Sequence, residues 1–258
     1  MSFHHRLFSY PPHLMVESAD FDGTNDYMAR GAALTGAADS KSGIFSAWFR
    51  IDGTDATKQL TLLAQLGSKL LVCRTIDLFS PVADSFLIQG VNSLGTVVVG
   101  FCSSTSYTQS ATWRHLLASW DLSTLSTHLY VNDVDDKAAA GLVATNDTVV
   151  YTAADWFVGA SSAGGQNKAD GCIGELYFAP GQYLDFSVTN NRRKFITSSG
   201  KPVYLGADGA GPTGTAPLVY FHLDPSETVA NFATNRGTGG DFTITGALTA
   251  GSTSPSDF

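Results

Sequence analysis

Between residues 43 and 51 the chain alternates with a period of two. Ile44, Ser46, Trp48 and Arg50 fall on one side, Phe45, Ala47, Phe49 and Ile51 on the other. That period belongs to a β-strand, and the wholly apolar second set predicts a face turned to a core. Asp52-Gly53 ends the segment with a turn signal. Short apolar runs at 60–66, 70–74, 85–89 and 96–102 follow, each bounded by Gly, Ser, Asn or Pro. Residues 113–120 and 127–131 read as two strands of a hairpin around a turn at 121–126. A helix there would put Leu116, Leu117 and Trp120 on one face, but the aromatic content and the Ser/Thr-rich exit favour strands.

Further along, 156–160 and 172–178 read as strands around a polar, glycine-rich loop at 161–171. The pattern then changes once. Ser187 stands before 188–196, whose basic residues come late, which predicts an N-cap and a short helix stopped by Gly200-Lys201-Pro202. An irregular excursion at 210–217, strands at 218–223 and 242–244, and a polar tail at 251–258 complete the chain. So many short strands with so little helix cannot cover a parallel sheet. They predict an all-β sandwich of two antiparallel sheets with one short helix. Residues 1–16 read as an arm, in which Phe3, Phe8 and Tyr10 alternate with polar residues until Pro11-Pro12 stops regular pairing. The expected organisation is an arm at 1–16, one domain at 17–250 and a tail at 251–258.

Composition narrows the function. Only 15% of the 258 residues are charged, against about 25% in an ordinary soluble domain. The surface is therefore built largely of Ser, Thr, Asn and Gly, or is partly covered by another protein. The net charge is −8 and the longest basic run is Arg192-Arg193-Lys194. Phosphate neutralisation needs clustered cations, so nucleic acid is not an expected partner. Glu17, Glu175 and Glu227 are the only glutamates; the other acidic residues are aspartates, which favour turns. Cys73, Cys102 and Cys172 match no zinc spacing and read as buried thiols, with one disulfide plus a leftover thiol as the alternative. No apolar stretch approaches the roughly 18 residues of a membrane span, and the opening MSFHHRLFSYPPHL does not read as a signal peptide. Folding in a reducing cytoplasm is the expectation.

Four pieces, in order, carry a resemblance: FDGTNDYM at 21–28, GIFSAWFRIDG at 43–53, WRHLLASWD…HLYVND at 113–133, and DGCIGELYF at 170–178. They resemble the concanavalin A-like jelly rolls, specifically their laminin-G-like branch. In that branch the last piece usually reads Gly-x-Ile-Asp-Glu; here Gly174 stands where the aspartate would be. The segments RRKFITSSGKPVYLGADGAGPTGTAPLVYFHL and NFATNRGTGGDFTITGALTAG resemble the C-terminal portion of such proteins among bacteriophage and prophage structural genes.

The resemblance sets the chemistry to look for. Hydrolysis of a glycosidic bond needs two carboxylates about 5–5.5 Å apart for retention, or about 6.5–9.5 Å for inversion. The family's hydrolase branch carries Glu-x-Asp-x-x-Glu, whereas Glu175 is followed by Leu176, Tyr177, Phe178 and Ala179. An aspartate pair across strands stays open. His115, His128 and His222 lie in predicted strands without a nucleophile turn beside them. Calcium needs hard oxygen ligands from loops, and laminin-G-like domains sometimes bind it at a sheet edge. Asp22, Asn25 and Asp26, with Asp170 facing them, are the candidates; the simpler expectation is that the first three cap turns. No other cofactor is expected.

The leading expectation is a non-enzymatic virion subunit, a capsid decoration or tail appendage that mediates host adhesion. It would fold in host cytoplasm, use Phe3, Phe8 and Tyr10 as assembly contacts, meet other virion proteins, and form a homo-oligomer with a trimer favoured. The alternative is a carbohydrate-binding module of an adhesin, and a glycoside hydrolase comes third. Membrane insertion is not expected.

Overall fold

The computed structural model describes residues 17–53, 60–75, 82–141, 143–164 and 167–257. Phe3, Phe8, Tyr10 and the rest of the expected arm lie outside them. The strands are β1 (Ala19–Asp22), β2 (Tyr27–Arg30), β3 (Ser42–Ile51), β4 (Leu60–Gln65), β5 (Leu70–Arg74), β6 (Phe86–Val91), β7 (Val97–Cys102) and β8 (Ser110–Asp121). They continue with β9 (Ser126–Val131), β10 (Val134–Asp135), β11 (Val143–Ala144), β12 (Trp156–Val158), β13 (Asp170–Pro180), β14 (Val219–His222), β15 (Thr243–Thr245) and β16 (Thr249–Ala250). Among the described residues one α-helix, α1 (Thr189–Arg192), interrupts them.

The strands form two antiparallel sheets. The first runs β10-β9-β8-β3-β13-β1-β16, and the second β11-β7-β6-β5-β4-β12-β2-β15. β13 is long enough to take two partners on one edge: β1 pairs with Asp170–Ile173 and β14 with Glu175–Phe178. Gly174 falls between them, at a register shift against β3, the signature of a β-bulge.

Period-two alternation decides what meets between the sheets. Phe45, Ala47, Phe49 and Ile51 from β3 join Leu116, Ala118 and Trp120 from β8 and Ile173, Leu176 and Phe178 from β13. Leu63, Leu70, Val72, Ile88, Val99 and Trp156 close over them from the second sheet. The predicted core face of 43–51 is the observed one.

The opposite face of the first sheet is not wet. Phe186, Phe195 and Leu205, from the excursion after β13, pack on Ile44, Leu117, Tyr130, Tyr177 and Tyr220. Beside them Ile196 packs with Trp48, Trp113 and Cys172. The tail then crosses the same face: Thr253 Oγ accepts hydrogen bonds from Arg50 Nη1 and Trp113 Nε1, and Ser18 Oγ donates to the Thr253 carbonyl. This cover buries the outer face of the first sheet, Trp48 and Trp113 included, while Trp120 and Trp156 are buried between the sheets.

One local expectation is corrected. The helix is shorter than 188–196, its N-cap is Val188, and no side chain caps it. Ser187 is instead held by Asp185, whose Oδ1 accepts from the Ser187 hydroxyl at 2.6 Å and from its amide at 2.8 Å. A carboxylate two residues earlier captures both groups before the helix can use the serine. None of the three cysteines forms a disulfide, and all are buried.

Candidate functional site: a groove on the second sheet

The second sheet carries a groove of about 330 Å³ on its outer side. β5 and β6 supply the floor. Leu70 and Val72 point into the main core, so Leu71 points away from it, as does Leu87 of β6. Gln89 is the register partner of Leu71 and sits beside it, half-buried. The β4–β5 connection, Leu66–Ser68, makes one wall. Gly67 and Ser68 both have left-handed backbone there, with φ of 73° and 55°, which lets the turn fold tightly and leaves the space over Gly67 open. Thr75 closes one end, and Ser161, Ser162 and Asn167 of the glycine-rich loop form the facing wall. Asn167 is tied down on both sides. Asn167 Nδ2 donates to Ser161 Oγ at 3.0 Å, and the Asn167 carbonyl accepts from the Thr61 amide at 3.2 Å.

Among the described residues the lining is aliphatic, hydroxyl and amide, with no ionisable side chain. Two leucines give an apolar floor, while Ser68, Thr75, Gln89, Ser161, Ser162 and Asn167 ring it with donors and acceptors. Such a surface matches a ligand that is apolar on its faces and rich in hydroxyl groups at its rim.

The residues singled out for calcium lie elsewhere, at one end of the sandwich. Asp22 Oδ1 accepts from the amides of Thr24, Asn25 and Asp26 at 2.7, 3.0 and 3.3 Å. Burial works to raise its carboxyl, but the three amides outweigh it and hold the group below the usual aspartate range. Asp26 Oδ1 accepts from the Ala247 amide at 2.7 Å. Asp170 stands opposite Asp22 in the β1–β13 register, and its side chain fills the space that a Cβ on Gly23 or Gly53 would need.

Among the described residues, the group of three metal-ligating side chains that does converge is Asp20, Asp52 and Cys172, all within 4.8 Å. Its chemistry is that of an ion pair. Arg50 grips both oxygens of Asp52, Nε to Oδ1 and Nη2 to Oδ2 at 2.6 Å each. Burial and the neighbouring Asp20 push the Cys172 thiol up to about 12, so it stays protonated.

Sequence reasoning did not find the groove. Its residues come from three separate stretches, 66–75, 87–89 and 161–167, none with a motif of its own. The one available signal was the loop at 161–171, polar and glycine-rich beside a strand that alternation marks as buried.

Comparison with known proteins gives the fold its relatives. A family model described as the concanavalin A-like lectin/glucanases superfamily, of laminin G type, matches residues 22–181, more than half of the chain. No curated protein matches its sequence. Among solved structures it is similar to a Bacteroides ovatus protein described as carbohydrate-binding, with 15% identity and a TM-score of 0.61 over 92% of this chain and 60% of that one. It is also similar to a heptameric SAP-like pentraxin from Limulus polyphemus, with 8% identity and a TM-score of 0.56 over 94% of this chain and 98% of that one. At such identities the likeness is one of fold, and this chain spans about 60% of the Bacteroides protein's length. With the family model spanning β2 to β13 and the two-sheet topology in place, this chain belongs to the concanavalin A-like lectin/glucanases superfamily.

Proposed function

We propose that the chain is a non-enzymatic carbohydrate-binding module that seats an uncharged saccharide in the groove on the second sheet. The observation that carries this is the asymmetry of the sandwich. The chain's own excursion and tail seal the outer face of the first sheet, while the second sheet offers a groove with an apolar floor and a hydroxyl and amide rim. The tryptophans are all buried, so the floor that a pyranose ring would meet is Leu71 and Leu87. The Bacteroides relative described as carbohydrate-binding supports the same assignment.

The expected capsid or tail role gives way to this alternative, because neither the fold nor these relatives point to a virion. Trimeric self-association is carried forward as a proposal. Sedimentation equilibrium at micromolar concentration decides it, and a mass near 27.2 kDa would defeat it.

A glycan array probed with folded protein tests the proposed function. Enrichment of neutral saccharides over sialylated or sulfated ones is the expected result. A blank array from folded protein would overturn the proposal.

A further inference from the structure

On the sealed face of the first sheet, one transverse row of side chains is polar at its tips. His222 of β14 is the register partner of Glu175 on β13, Glu175 of Trp48 on β3, and Trp48 of His115 on β8. All four are at most 2% exposed. Each of them carries one buried polar atom without a hydrogen-bond partner: His222 Nδ1, Glu175 Oε1, Trp48 Nε1 and His115 Nδ1. The hydroxyl of Tyr177, in the next row, is a fifth. The remaining polar atoms are held. His115 Nε2 meets Ser46 Oγ at 2.8 Å, His222 Nε2 meets Asp224 Oδ1 at 2.9 Å, and Tyr220 Oη donates to Glu175 Oε2 at 3.3 Å.

Clusters of unpaired buried atoms are uncommon, because each forfeits its hydration without return. This one lies directly under the cover. Tyr177 and Tyr220 pack against Phe195 and Leu205, Trp48 packs against Ile196, and Gly174 lies against Pro255 of the tail. The row also has an outlet. Asp224 is partly exposed at the surface, His222 bonds it through Nε2, and His222 Nδ1 lies 3.7 Å from Glu175 Oε2. An imidazole between a surface carboxylate and a buried one is a route for a proton.

We propose that Glu175 is a proton-gated latch for the cover: uncharged it seats the excursion and tail on the first sheet, and on ionisation, with its proton leaving through His222 and Asp224, it releases them. The groups facing Glu175 set the direction. Tyr220 and His222 from β14, Trp48 and then His115 from β3 and β8, and Tyr177 on its own strand are all neutral when buried. On the outlet side Arg236 is already paired with Asp224 and Glu227. On the cover, Lys201 reaches the Ser256 carbonyl. Burial holds the Glu175 carboxyl up to about 8, only partly offset by the Tyr220 hydroxyl. The latch is therefore firmest in acid, loosens as pH rises through neutrality, and levels off above about 8.

Hydrogen–deuterium exchange of the intact chain at pH 6 and pH 9, corrected for the intrinsic pH dependence of exchange, tests this. Peptides from 195–217 and 251–257 should open about a hundredfold more at pH 9, the two pH units between 6 and the seated value near 8, while peptides of β4–β6 should not change. Glu175→Gln, neutral at every pH, should abolish the difference. The wild-type chain supplies a second readout that does not depend on how this variant folds. It has only three glutamates, so carbon-13 labelling of glutamate carboxyls gives three signals to titrate. One of them should titrate far above the other two, in step with cover opening. Three ordinary titrations, or exchange that rises equally in both sheets, would overturn the latch.

Discussion

Gly43 lies opposite Trp120 across the β3–β8 pair, and the indole rests directly on the glycine backbone. A Cβ at 43 would stand 2.3 Å from Trp120 Cζ2. The ring has no room to retreat, because Trp120 Nε1 donates to Tyr151 Oη at 3.0 Å and Phe101 packs at its edge. Gly43→Ala should therefore destabilise the fold by about 2–3 kcal/mol, the scale of overpacking a filled core. Urea unfolding followed by tryptophan fluorescence measures it; an unchanged midpoint would show that the indole can move.

Gly174 has a comparable role on the opposite side of the first sheet. A Cβ there would approach the Pro255 ring to 2.9 Å and the Trp113 ring to 3.5 Å. This accounts for the departure from the laminin-G-like Gly-x-Ile-Asp-Glu pattern: where the tail crosses the bulge, an aspartate has no place. Gly174→Asp should dislodge the tail and wet Trp113, red-shifting tryptophan emission and costing about 1–3 kcal/mol. Cleavage within 251–257 by a protease acting on the variant and not the parent would report the same event.

His115 predicts the acid limb of stability. Burial depresses its folded-state value from 6.5 to about 3, so the imidazole is neutral when folded and takes a proton readily once unfolded. Its contribution is complete above about pH 6.5 and drains away as pH falls toward about 3, a loss on the order of a few kcal/mol. His115→Leu should flatten the stability profile between those limits, whatever it does to stability at pH 7. A profile that falls as steeply as the parent's would assign the acid sensitivity to another group.

The strands and the core-facing side of 43–51 were legible because a period of two separates Phe45, Ala47, Phe49 and Ile51 from their neighbours. The fate of those neighbours was not. Trp48 and Ile44 alternate as an outward set, and only the packing of Phe195, Ile196 and Leu205 makes that face a second core. The row from His222 to His115 was invisible for a related reason. Its members stand far apart in sequence, and strand register alone brings them into line. The groove depends likewise on a loop ending at Asn167 being tied to Thr61.

The central claim, saccharide binding on the second sheet, is tested most directly by titration calorimetry with the glycan the array selects. The parent chain, Gln89→Ala and Ser162→Tyr are compared, each with and without a calcium chelator. Gln89→Ala should weaken binding about tenfold, the scale of one lost hydrogen bond to a ligand. Ser162→Tyr should abolish it by filling the groove, and the chelator should change nothing, since among the described residues the lining carries no carboxylate. Undiminished affinity in both variants, or affinity lost to the chelator, would contradict the account.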